Sequence, residues 1–195
     1  MFQKLVSLKN GERIYVRSFL IGDILPLHKM YGSLSEESKK FFHPSFFEFS
    51  GSKWFLSNLA LLLSTFFTIR RLLVYSWPKA VSSSLVAVNI RNELISFTYL
   101  RLEERLVNDN YTSAIGICVR DDYQNAGLGS NLLGLTIALA KKEKMCEVYA
   151  WVLSENIRSI HLFQKYGFKT TRLVKRCTRW KNKYYDCLEM CLCLF

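Results

Sequence analysis

The sequence predicts a mixed α/β fold, a single domain in which antiparallel hairpins and helical crossovers share one sheet flanked by helices. Three observations carry this expectation. From Ser84 the apolar pattern takes period two, with Leu85-Val86-Ala87-Val88 and Glu93 to Leu102 on either side of the polar turn Asn89-Ile90-Arg91-Asn92, a hairpin. Leu128, Leu132, Leu135 and Leu139 then fall at i, i+4, i+7 and i+11, the stripe of an amphipathic helix that ends in Lys141-Lys142-Glu143-Lys144. After it, Cys146 to Leu153 reads as a strand, and Asn156 caps a helix that runs to about Tyr166 and stops at Gly167-Phe168.

The remaining elements follow in order. Arg13 to Phe19 is the first strand, with Ile14 and Val16 alternating against Tyr15 and Arg17, and Asp23 is the expected N-cap of the next helix. A helix begun near Ser35-Glu36-Glu37-Ser38 must end by Pro44. Trp54 to Ile69 is strongly apolar and is followed by Arg70-Arg71. A membrane-spanning helix needs about 20 apolar residues; this run is shorter and carries Ser57, Asn58, Ser64, Thr65 and Thr68, so a buried or partly interfacial helix is expected in preference to membrane contact through 54–69. Tyr111 to Val119 is a strand whose Thr112, Ala114, Gly116 and Cys118 share one unusually small face, open to close approach by a packed helix or a ligand. Lys169 to Arg176 and Tyr184 to Leu194 complete the sheet.

Composition narrows the class. The chain has 195 residues, 50% of them hydrophobic and 14% aromatic, enough for one substantial core. Its net charge of +11 attracts polyanions: a phosphate-rich ligand, nucleic acid or an acidic membrane surface. The basic residues are scattered, with no zinc-finger spacing and no RNA-binding aromatic signature, which argues against a sequence-reading nucleic-acid domain. Six cysteines show no paired Cys-x-x-Cys or His-x-x-x-His pattern, so no metal is expected. Cys191 and Cys193 should share one strand face as small core residues rather than as part of a disulfide framework. Without a signal peptide at Met1-Phe2-Gln3-Lys4, a reducing cytoplasm is the expected location.

The chemistry concentrates in Gln124-Asn125-Ala126-Gly127-Leu128-Gly129, where a strand runs into a glycine-bearing turn that opens a helix. A helix N-terminus presents free N–H groups and partial positive charge, and glycine lets an oxyanion reach the backbone, so the turn suits phosphate. It is neither a dinucleotide fingerprint, since Asn131, Leu132 and Leu133 follow Ser130, nor a nucleoside-triphosphate loop, which needs Gly-Lys-Ser/Thr. A plain helix-start turn is the structural alternative.

From Ile117-Cys118-Val119 through Gln124-x-x-Gly127-x-Gly129, the leucine helix, Val148 to Leu153, Asn156 and Gly167-Phe168, the chain resembles the GNAT superfamily of acyl-CoA N-acyltransferases, in order over Tyr111 to Phe168. The Asp186…Met190 strand is also similar to that family. The resemblance implies a central, mostly antiparallel sheet that splays, an acceptor-side region to about residue 80, a CoA-binding core over about 84–168 and C-terminal strands over about 169–195. It implies that backbone groups of Ile117, Cys118 and Val119 pair with pantetheine, and that N–H groups from Asn125 through Ser130, with Gln124 leading the turn, hold the pyrophosphate. It further implies that the Asn156 side chain hydrogen-bonds the pantetheine, a role compatible with its helix cap, and a backbone N–H near Val119 is expected to polarise the thioester carbonyl.

Three positions depart from the family pattern. The tyrosine that many members place seven residues after the asparagine, as acid toward the leaving thiolate, is Phe163, and Tyr166 is expected to pack beneath the turn. The glutamate five residues before that asparagine, the mark of branches that acetylate ribosomal-protein N-termini, is Trp151. The glutamate of histone-acetylating branches, eleven residues before the glutamine, is Ser113. Glu103 and Glu104 are the remaining carboxylate candidates for a base, against the alternative of exposed strand-end charges, and a water chain can serve instead. His161 reads as a surface residue, and His43 sits among Phe41, Phe42, Phe46 and Phe47, which line an acceptor pocket or form core.

The expected function is transfer of an acetyl group from acetyl-CoA to a primary amine, a small molecule before a protein. The alternatives are a CoA-binding protein without transferase activity, and a basic peripheral membrane or nucleic-acid module. A homodimer is left open.

Overall fold

The computed structural model describes the backbone of residues 2–42, 84–107 and 110–195, and the side chains of these residues except 101–107 and 110–112. The expected helix over Trp54 to Ile69, the stop at Pro44, and His43, Phe46 and Phe47 lie outside the described residues.

Eight strands form one sheet: β1 (Gln3–Ser7), β2 (Arg13–Ser18), β3 (Leu85–Val88), β4 (Leu94–Val107), β5 (Asn110–Val119), β6 (Glu147–Leu153), β7 (Lys169–Trp180) and β8 (Lys183–Cys193). Their order across the sheet is β1-β2-β3-β4-β5-β6-β8-β7. Every neighbouring pair is antiparallel except β5 and β6. Those two need a crossover, which α3 (Leu128–Lys142) supplies. The other described helices are α1 (Ile24–Gly32), α2 (Glu36–Phe41) and α4 (Ile157–Lys165).

Helices cover both faces. Leu128 and Leu132 of the leucine stripe are fully buried against Ile14, Val16, Leu85 and Ala87, with Leu135 and Leu139 partly buried beside them. On the opposite face Leu27, Met30 and Leu34, from α1 and the turn after it, pack on Val86, Val88, Phe97 and Cys118. All four β3 residues are therefore buried, which is why that strand is a continuous apolar run. Beneath α3 and α4, Leu133, Ile160 and Phe163 join Val148, Ala150, Val152 and Met190 in the core of the other half-sheet.

The structure corrects the sequence reading at several points. β1 has no counterpart in it: only Val6 of this edge strand is buried, so little alternation marks it. β4 and β7 run on to Val107 and Trp180; β7 passes through an irregularity between Val174 and Thr178, where Arg176 takes φ 51°. Asp23 does not cap α1 with its side chain. Its carboxylate accepts both Arg17 Nη1 at 2.6 Å and Nη2 at 2.7 Å, and the Leu20 N–H at 2.8 Å. A bidentate, charge-assisted pair outweighs a cap bond worth about 1 kcal/mol. Cys177 and Cys187 are bridged between β7 and β8, with Cα atoms 5.8 Å apart, where no disulfide was expected. No described helix is long and apolar enough to cross a membrane.

Candidate active site

β5 and β6 pair only from Thr112 to Ala114, against Glu147 to Tyr149. Beyond that point β5 stays with β4 as far as Ser96↔Val119, while β6 stays with β8 as far as Leu153↔Cys187. The sheet opens as a V, and the facing edges, Ile115 to Val119 and Ala150 to Leu153, have no ladder partner across it. Backbone groups in such an edge retain their demand for hydrogen bonds, which an extended polar ligand can meet.

The open end of the V is closed by the turn that follows β5. Asn125 and Gly127 both adopt left-handed backbone, φ 62° and 87°, which turns the chain sharply into α3. Gly127 is the α3 N-cap and offers no side-chain cap, so the first-turn N–H groups remain outward-facing donors. Gln124 braces the turn: its Nε2 donates to the Val119 carbonyl at 3.1 Å, and its Oε1 accepts Arg158 Nη1 at 2.6 Å. The turn between β1 and β2 supports it from behind, the Lys9 N–H donating to the Ala126 carbonyl at 3.0 Å. The Lys9 side chain passes over Gly127 and joins the cleft wall. Beneath the first turn of α3, the Tyr166 hydroxyl donates to the Ser130 carbonyl at 2.6 Å and lies 3.0 Å from Ser130 Oγ. Gly134 makes room for that ring, since a Cβ there would stand 3.2 Å from it.

Across the opening, α2 forms the other wall. Ser35 caps α2, and its N–H donates to Asp121 Oδ2 at 2.7 Å; the Ser38 hydroxyl donates to Asp121 Oδ1. Burial works against the Asp121 charge, but the bonds from Ser38 and Ser35 prevail and hold its carboxyl below the usual aspartate value. Lys40 reaches Glu155 at 3.0 Å, and Lys181 of the β7–β8 turn reaches Glu36 at the same distance. The cleft so bounded has a volume of about 740 Å³.

A second cavity of about 280 Å³ continues it, sharing Phe41, Phe42, Ile117, Asn156, Ser159 and Phe163 as wall. Its own lining adds Lys40, Tyr99, Trp151 and the Cys177–Cys187 bridge. The small face of β5 belongs here, though not as free space. Tyr99 sits opposite Gly116, and its ring occupies the place of the missing side chain: a Cβ on Gly116 would be 2.3 Å from Tyr99 Cε1. Cys118 on the same face is buried, which pushes its thiol up well beyond the usual range and keeps it protonated.

Ile117, Cys118, Val119, Gln124, Asn125, Gly127, Gly129, Ser130, Asn156 and Phe163 thus meet at one cleft. Ala126 and Leu128 turn away: both pack toward the core beneath β1 and β2, and Leu128 is fully buried. Asn156 caps α4, its Oδ1 accepting the Ser159 N–H at 3.1 Å. Ser113 is fully buried, and Phe163 is buried edge-to-face with Phe168. Trp151 is about half exposed under the Arg172 guanidinium. Glu103 pairs with Thr112 at the closed end of the V, with Glu104 beyond it; the backbone there is roughly 16 Å along β5 from Ile117. Sequence reasoning missed Lys9, Glu37 and Arg158, which line the cleft. Each depends on a long-range contact that no local pattern announces.

The family model described as the acetyltransferase (GNAT) family matches residues 54–168. No curated protein matches the sequence. Solved structures resemble the chain along nearly its whole length. The ribosomal-protein-S5-alanine acetyltransferase of Vibrio fischeri aligns with TM-score 0.70 at 14% identity, covering 92% of each chain. Spermidine N-acetyltransferase of Vibrio cholerae, in complex with CoA and spermine, gives TM-score 0.67 at 16% identity, covering 93% of this chain and 95% of that one. A Salmonella typhimurium protein described as an acetyltransferase, solved with its cofactor acetyl-CoA, gives TM-score 0.66 at 19% identity, covering 93% and 94%. At these identities the likeness is one of fold.

Proposed function

The chain belongs to the GNAT family of acetyltransferases, whose co-substrate is acetyl-CoA, and from that premise we propose that it transfers the acetyl group to the primary amine of a small molecule. The observation that carries this reading is the unpaired edge of β5 from Ile115 to Val119, running into the N-terminus of α3 at the open end of the V.

The residues present fit the co-substrate. Backbone groups of Ile117, Cys118 and Val119 would take the pantetheine as a missing strand takes its neighbour, with the Asn156 side chain beside it. The N–H groups from Asn125 through Ser130 would hold the pyrophosphate, with the cations of Lys9 and Arg158 at hand on the cleft wall. Gly127 and Gly129 keep side chains out of that cradle. When bound, acetyl-CoA supplies an activated acetyl thioester. The backbone N–H near Val119 would polarise its carbonyl without reorganisation.

The acceptor would enter the second cavity. Phe41, Phe42, Tyr99 and Trp151 supply aromatic wall, and no carboxylate lines it among the described residues, which favours a compact, largely apolar amine over a polycation. The proton of the attacking amine needs a destination. Glu37 lines the larger cleft, next to the second cavity, and would serve as base through water. Glu103 and Glu104 remain as the alternative.

Buried Phe163 favours a second reading, a CoA-binding protein without turnover. Calorimetric titration with acetyl-CoA, followed by a thiol-release assay over a panel of amines, separates the two. Binding with thiol release on an aromatic or aliphatic monoamine supports the transferase; binding with no release on any amine supports the second reading. In the active case, Glu37→Gln should abolish the acidic limb of the kcat/KM profile, whereas the same result from Glu103→Gln or Glu104→Gln would move the role to those residues.

A further inference from the structure

β6 and β8 bring a carboxylate together with two thiols about 45 residues further along the chain. Glu147 stands opposite Cys193, and Tyr149 opposite Cys191. Since opposed residues of an antiparallel pair project from one face, both thiols meet the carboxylate there. The ligand atoms of Glu147, Cys191 and Cys193 all lie within 4.8 Å of one another. The Tyr149 hydroxyl donates to Glu147 Oε2 at 2.5 Å, which leaves Oε1 to face Cys193 Sγ at 3.6 Å.

We propose that Glu147, Cys191 and Cys193 form a binding site for a borderline divalent cation of the zinc type. Two thiolates exclude the hard cations calcium and magnesium, and a borderline ion accepts two sulfurs, one carboxylate oxygen and a fourth ligand in tetrahedral array. Cys193 is exposed and the other two are partly buried, so the fourth position belongs to water or to a thiol from solution. On binding, each thiol releases its proton to solvent and its sulfur forms one bond to the metal, with no change of oxidation state. Tyr149 acts as a positioning residue through its bond to Glu147. The site lies at the base of the V, beside Tyr149↔Ala114, the last parallel pair before the strands part, and it would tie β6 to β8 there. It stands apart from the acetyl-CoA cleft, so the proposal does not rest on the transferase reading.

The test uses the full chain, freshly reduced, with Zn2+ as probe. Competition against a chromophoric chelator should show one tightly held equivalent, lost in the Cys191→Ser/Cys193→Ser variant and weakened about tenfold or more in Tyr149→Phe. Alkylation mapped residue by residue in the unsubstituted protein gives a readout independent of variant folding. Zn2+ should slow modification of Cys191 and Cys193 at least about tenfold while leaving Cys146 unchanged, and the thiols of Cys177 and Cys187 are followed separately in the same map. Unchanged alkylation of Cys191 and Cys193, or an equivalent of Zn2+ that survives their replacement, overturns the site. Undiminished affinity in Glu147→Gln overturns the proposed ligand set.

Discussion

Tyr166 donates its hydroxyl to the Ser130 carbonyl at 2.6 Å, fastening the end of α4 beneath the first turn of α3. This phenol is committed to the architecture of the turn and is not available to protonate a leaving thiolate. Tyr166→Phe should cost about 1 kcal/mol in stability and raise the acetyl-CoA Kd a few-fold, leaving the pH profile of kcat unmoved. Thermal melts, calorimetry and a kcat–pH series check the three parts; a displaced profile would return Tyr166 to an acid role.

Phe163 lines both cavities, at the position where the family resemblance implies a tyrosine as acid. If the leaving thiolate departs unprotonated in the natural enzyme, Phe163→Tyr should raise kcat by about a hundredfold, at the low end of what general-acid catalysis supplies. Single-turnover thiol release measures it. The buried setting against Phe168 sets a cost for the added hydroxyl, so melting of the variant is measured alongside.

Asp121 joins α2 to the turn through Ser35 and Ser38, and its carboxyl is held below the ordinary value of about 3.9. A carboxyl whose folded pKa lies below its unfolded one stabilises at pH above about 4 and loses that contribution as pH falls through the folded value. The stability gap between the natural protein and Asp121→Asn should therefore be constant from pH 7 to 5 and shrink below about pH 4. Melts across that range test it; a gap independent of pH would mean that the charge of Asp121 is not what holds α2.

The parts of the fold legible in the sequence are those set by local rules. Leu128 and Leu132 of the leucine stripe are buried in α3, with Leu135 and Leu139 partly so, Asn156 caps α4 through Ser159, and the glycine turn forms a left-handed entry to a helix. What stayed hidden depends on partners distant in the chain. β1 exists because β2 is beside it, and Lys9 reaches the cleft because the β1–β2 turn docks on Ala126. The small face of β5 was legible as a need for space, but only the cross-strand register assigns that space to Tyr99. Asp23 carried the composition of a helix cap and was captured by Arg17. Cys191 and Cys193 were legible as neighbours on one strand face, whereas Glu147 joins them from another strand.

Acetyl-CoA is expected to lie in the cleft between β5 and the α3 N-terminus. Gly127 is a poor probe, because its φ of 87° strains any replacement whatever the ligand does. Gly129 is the better one: a Cβ there meets Leu162 at 3.6 Å and Val119 at 3.7 Å, ordinary contacts that let Gly129→Asp fold while placing a carboxylate in the phosphate cradle. Titration calorimetry with acetyl-CoA should give one site in the natural protein and at least about a tenfold loss, 1.4 kcal/mol, in the folded variant. Equal affinity in the two proteins, or no binding by the natural one, would contradict the account.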